Sequence, residues 1–142
     1  MTTNKPNTAF WIVAVLALLW NLFGLLQLLS MTMLADAAMA EMPADVVEIV
    51  RGLPSWYNYV FALAVFPALL ASLILLFRRR LAIPLFGLSL IALLIQMGYW
   101  LFGTSIMEIE GVAAAIMPVI VIAVGIFLYY YSKGAAQKGW LR

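Results

Sequence analysis

The stretch from Leu73 to Leu88 reads LILLFRRRLAIPLFGL. Three consecutive arginines separate two apolar runs, Pro54–Phe77 and Leu81–Gly103. Each run reaches the roughly 20 residues needed to cross a bilayer core. So short a connection permits only an antiparallel helical hairpin. The same reading extends outward to Thr8–Met33 and Val112–Ser132, giving four predicted spans. The first would be about 39 Å long at about 1.5 Å per residue, so it must tilt or project its last turn beyond a core of about 30 Å.

Composition agrees with lipid as the main solvent. Of 142 residues, 67% are hydrophobic and 10% charged, with a mean hydropathy of +1.09; soluble domains carry about 25% charged residues. Cysteine and histidine are absent. That removes disulfides, thiolate nucleophiles, imidazole bases and the usual zinc, haem and iron–sulfur ligands. No basic, aromatic-interleaved face suits nucleic acid. The expected fold class is an all-α membrane protein: one domain, residues 1–142, with four transmembrane helices in an antiparallel bundle.

Charge placement predicts the orientation, because lysine and arginine are retained on the cytoplasmic side. Lys5, Arg78, Arg79, Arg80, Lys133, Lys138 and Arg142 fall at one end. The other end holds all six acids, Asp36, Glu41, Asp45, Glu48, Glu108 and Glu110, against Arg51 alone. Both termini are therefore expected in the cytoplasm. Arg78, Arg79 and Arg80 read as topological anchors, or alternatively as a site for anionic lipid head groups. The opening Met1–Lys5, the apolar run and "DAAMAE" resemble a secretory signal with an Ala38-x-Ala40 cleavage site, but the run is too long and holds Asn21 and Gln27, so it is expected to remain as a span.

The first outer loop contains MPADVVEIVRGLP, in which Val46, Val47, Ile49, Val50 and Leu53 share a face opposite Asp45, Glu48 and Arg51. This predicts a short amphipathic helix with Pro43 in its first turn, ended by Gly52 and Pro54. It is expected to lie in the outer interface as a connector; a lid over an opening among the spans is the alternative.

Polar residues inside the spans are few and share helix faces. At about 100° per residue, Ser89, Ala92, Gln96, Tyr99 and Gly103 fall within about 80°. Asn21, Gly24, Gln27 and Met31 share about 120° of the first span, and Asn58, Phe61, Val65, Ala68 and Ser72 about 80° of the second. Gly111, Ala115, Pro118, Ile122, Gly125 and Tyr129 form a small-residue stripe within about 80° on the fourth. An unpaired amide in apolar surroundings costs roughly 2 to 7 kcal/mol, so these faces turn inward. Asn21, Gln27, Asn58, Ser89, Gln96 and Tyr99 are the candidate residues for either interhelical bonding or a solute pocket. Most lie in the outer half, which predicts a pocket open outward and closed inward. No ionisable group lies inside a span, so buried-carboxylate proton coupling has no candidate.

Several secondary features carry bland readings. Pro67, Pro84 and Pro118 are expected to bend spans. Met31, Met33, Met39, Met42, Met97, Met107 and Met117 gather in the outer half; they read as ordinary apolar side chains, with a Cu(I) site around Met31, Met33, Met39 and Met42 as the alternative. Trp11, Trp56, Tyr57, Trp100, Tyr129, Tyr130, Tyr131 and Trp140 read as interfacial belts. Glu108 and Glu110 read as solvated loop charge rather than a divalent-cation contact. No metal or cofactor is expected. ALLWN at Ala17–Asn21 faintly echoes ALLIQ at Ala92–Gln96, without a match between the partner helices of the two hairpins.

The segments PLFGLSLIALLIQMGY, AIMPVIVIAVGIFLYYYSKGAAQKGWL and AFWIVAVLALLWNLFGLLQ resemble a family of small four-span bacterial inner-membrane proteins commonly labelled sugar transporters. The resemblance implies a bacterial inner-membrane location. The residues themselves suggest a non-enzymatic protein that binds or moves a small polar or amphipathic solute as a homo-oligomer. The alternative is an accessory subunit packed against another membrane protein.

Overall fold

A computed structural model describes residues 5–142. The helices are α1 (Thr8–Thr32), α2 (Ala35–Ala40), α3 (Ala44–Arg51), α4 (Trp56–Leu76), α5 (Ala82–Gly98), α6 (Ile106–Glu110) and α7 (Ile116–Gln137). Four elements are long and apolar enough to cross a membrane: Thr8–Thr32, Trp56–Leu76, Ala82–Gly103 and Ile106–Gln137. The protein is an all-α, multi-pass membrane protein built on these four.

Two spans end differently from the expectation. A π-helical turn, Tyr99–Gly103, replaces the last turn of the third, and the Thr104 hydroxyl donates to the Trp100 carbonyl just beyond it. A 3₁₀ turn, Gly111–Ala115, leads into α7, which continues to Gln137 rather than ending at Ser132. Gly111 and Ala115 thus lie outside α7, and its small-residue stripe begins at Pro118. Pro84 and Pro118 fall in the first turns of α5 and α7, where a missing N–H costs little. Pro67 alone of the three sits inside a helix.

α1 packs on α4, α4 on α5, and α5 on α7. The seams are lined with small residues: Ala14 and Ala17 on α1, Ala68 and Ala71 on α4, and Ala82 and Ala92 on α5 are buried. Small side chains permit the close backbone approach on which helix association in lipid depends. Gly125 brings α7 close to α5, since a methyl group there would lie 3.2 Å from Leu90 and Leu93. The large residues Leu16, Leu26, Phe66 and Ile91 point outward, as expected of lipid-facing walls.

The arginine-rich end is closed by a hydrophobic cluster that includes Phe10, Leu75, Leu128, Trp140 and Leu141. The Phe10 ring lies 5.8 Å from that of Trp140 and 6.4 Å from that of Tyr131, joining the start of α1 to the end of α7. Both α4 and α7 finish in Schellman turns. In the first, Arg79 N donates to Ile74 O with Arg78 left-handed at φ 59°; in the second, Trp140 N donates to Ala135 O with Gly139 at φ 78°. The two turns are then strapped together. Arg142 N donates to Arg78 O at 2.7 Å, Arg80 N donates to Arg142 O at 2.8 Å, and the guanidinium Nε groups of Arg78 and Arg80 donate to the carbonyls of Trp140 and Leu141. Arg78 and Arg80 are therefore tied into the fold through backbone carbonyls, beyond the anchoring role expected for them; Arg79 and Arg80 are both exposed.

At the acidic end, α3 does not lie apart as a connector. Val46 is buried against Ile106 and Ala114, with Ile49, Val50 and Trp100 packed around them. Its apolar residues Val46, Ile49 and Val50 cover the bundle instead. Pro43 stands just before the helix, at its N-cap position rather than in its first turn, and α2 is an additional short helix.

Candidate functional site

Between the four spanning elements lies a cavity of about 680 Å³, with α3 across its acidic end. Trp20, Phe23 and Gly24 of α1, and Val121, Val124 and Leu128 of α7, line opposite sides. Phe61, Ala64 and Ala68 of α4 and Phe86 and Leu93 of α5 form the wall between. Met42, Val46, Val50 and Leu53 contribute the cover. α1 and α7 meet through the aromatic rings at the arginine-rich end, and the cavity occupies the interval between them farther along. Phe23 and Met117, which line it from these two helices, are 54% and 57% exposed. Both helices thus contribute lining residues that can also be reached from outside the bundle.

Four of the six candidate polar residues line this space: Asn21, Gln27, Ser89 and Gln96. Three of the four are bonded across helix seams, Gln96 of α5 through Tyr57 of α4. Asn21 Nδ2 donates to Ser72 Oγ at 2.7 Å and to Ala17 O at 2.9 Å, linking α1 to α4. Ser89 Oγ donates to the Ala64 carbonyl, linking α5 to α4. That carbonyl lies next to Leu63, whose usual helical donor is replaced by the ring of Pro67.

Gln96 is the buried amide of the cavity, 3% exposed and hydrogen-bonded to the Tyr57 side chain. A primary amide offers two donors and a carbonyl, more than one phenol satisfies, so Gln96 retains bonding capacity toward the cavity. Gln27 is exposed on the α1 wall. Asn58 and Tyr99 do not join the site. Asn58 lies exposed in the first turn of α4, one position off the cavity-facing row that begins at Tyr57. Tyr99 packs 5.0 Å from the Trp56 ring and 6.0 Å from that of Tyr57.

Other contributors were hidden in bland classes. Tyr57 and Trp100, read as belt residues, line the cavity, and Trp140 is buried in the closed end. Met31, Met42, Met97 and Met117 line it from four different segments, whereas Met33 is 80% exposed and Met39 lies off the cavity, so the Met31–Met42 group does not converge. Glu41 and Glu110 are exposed lining residues at the acidic mouth; Glu108 is not among them. Among the described residues, no three acidic, histidine or cysteine side chains gather as a metal site.

Compared with protein-family models, curated proteins and solved structures, the chain matches none.

Proposed function

We propose that this chain is a non-enzymatic bacterial inner-membrane protein that binds a small amphipathic solute in its central cavity. Its arginine-rich end lies in the cytoplasm, as the retention of basic residues there suggests, and the mouth between Glu41 and Glu110 faces outward. The observation that carries this reading is the cavity itself: about 680 Å³, within the range of small-molecule sites, mostly apolar and aromatic, with the Gln96 amide and Tyr57 phenol as convergent polar groups. Such a lining suits an amphipathic solute better than a sugar, whose many hydroxyls would each need a partner. The exposure of Phe23 and Met117 on the cavity's flank supports access from the bilayer. With the protein in zwitterionic nanodiscs, 4-phenylbutanol is expected to raise the melting temperature of the wild type and not that of Gln96→Leu. An unchanged wild-type melting temperature would overturn the reading.

A second reading has one observation in its favour. Tyr59, Leu63, Phe66, Pro67, Leu70 and Leu85 line a shallow apolar groove on the outer face of α4 and α5. As an accessory subunit, or as one copy of a homo-oligomer, the chain would seat a neighbouring helix there. Native mass spectrometry from mild detergent checks this by the presence of a stoichiometric partner or second copy.

A further inference from the structure

The cavity's mouth and its interior differ in chemistry, and together they specify a class of ligand. We infer that the cavity selects amphipathic cations, with a protonated or quaternary nitrogen held at Glu41 and Glu110 and an apolar body lying deeper; this rests on the solute-binding reading above. Both carboxylates line the cavity from different segments, Glu41 beyond α2 and Glu110 at the end of α6. Among the described residues, no basic side chain lines the same space. Arg51, the only arginine or lysine at this end of the sequence, stands on α3 outside the lining. The surrounding acids Asp36, Asp45, Glu48 and Glu108 add to a field of one sign that raises the local concentration of cations and disfavours anions.

Behind the carboxylates the lining turns aromatic. Trp20, Tyr57, Phe61 and Trp100 line the cavity, and aromatic rings attract organic cations through their quadrupoles. The four lining methionines are unbranched and polarizable, and surfaces rich in them adapt to apolar bodies of differing shape. A neutral amphipath would use the apolar wall and Gln96 but gain nothing from the mouth. An anionic one would meet two like charges.

Three probes with one phenylbutyl body separate these contributions: 4-phenylbutylammonium, 4-phenylbutanol and 4-phenylbutyrate. They are titrated calorimetrically into the protein in phosphatidylcholine nanodiscs at pH 7. The ammonium is expected to bind about tenfold more tightly than the alcohol, the scale of two partly exposed ion pairs, and the butyrate most weakly. The preference is expected to shrink as salt rises. In the double variant Glu41→Gln/Glu110→Gln, ammonium affinity is expected to fall to that of the alcohol while alcohol affinity stays unchanged; both positions are exposed, so the bundle's packing is preserved. Equal wild-type affinities for ammonium and alcohol would overturn the cation selectivity and leave the cavity reading standing, as would a full preference surviving in the double variant. Failure of all three probes to bind would overturn both.

Discussion

Asn21 on α1 and Ser72 on α4 are joined by a 2.7 Å hydrogen bond, and the Ser72 hydroxyl donates in turn to the Ala68 carbonyl at 2.9 Å. A polar chain thus crosses the α1–α4 seam beside an alanine-lined contact. Asn21→Leu is expected to destabilise the bundle by about 1 kcal/mol, within the range for such bonds in membranes. Ser72→Ala should cost less, because Asn21 keeps its bond to the Ala17 carbonyl. Denaturation by titrated SDS in mixed micelles reads both; equal stability of all three proteins would show that the pair contributes nothing.

Backbone conformation sets a second pair of outcomes. Gly139 holds φ 78° in the turn that ends α7, so Gly139→Ala is expected to cost about 1 to 2 kcal/mol. Gly98, by contrast, is helical with open space where a methyl group would go. Gly98→Ala is expected to stabilise by about 0.5 to 1 kcal/mol. The same unfolding titration checks the opposite signs.

The arginine turn contains three chemically identical side chains in different situations. Arg78 and Arg80 donate to the carbonyls of Trp140 and Leu141, whereas Arg79 extends from the exposed corner of the turn. Arg79→Gln is therefore expected to reduce retention of phosphatidylglycerol in native mass spectra without altering stability. Arg78→Gln should lower stability with a smaller effect on lipid. Equal lipid losses from both variants would mean that the three arginines act as undifferentiated charge.

Orientation can be read without background labelling because the chain has no cysteine. In intact spheroplasts, Asp36→Cys is expected to react with a membrane-impermeant maleimide and Gln137→Cys only after permeabilisation. The reverse pattern would invert the topology and turn the cavity mouth to the cytoplasm.

The helical architecture was legible because bilayer thickness imposes a length on every span and leaves the hairpin turn around Arg78–Arg80 no other geometry. The inward orientation of Asn21, Ser89 and Gln96 followed from periodicity and the cost of unpaired amides. Asn58 failed the same reasoning: a face spread over about 80° is broad enough to include a residue whose end-of-helix position leaves it exposed. Closure of the arginine-rich end was expected from the lack of polar side chains in that half, but the strap that makes it was not legible. Its bonds run from Arg78 and Arg80 to backbone carbonyls more than 60 residues away in sequence, and backbone acceptors have no residue-type signature. The role of α3 was half visible, since its apolar face appears in the sequence but the surface it covers belongs to other segments.

The contact of Phe10 with Trp140 joins α1 to the residues after α7. The bonds from Arg78 and Arg80 fasten those residues to the α4–α5 turn, so this end of the molecule is the more strongly tied. With that end tied, α1 and α7 part more readily at their far ends, as the arms of tweezers do. Widening the cavity about that end therefore separates the helices toward the acidic end and leaves the arginine-rich end shut. A one-sided receptor works with this geometry as it stands. A carrier would have to dismantle the aromatic contact and the strap in every cycle, and the frequency of that rupture would limit its turnover.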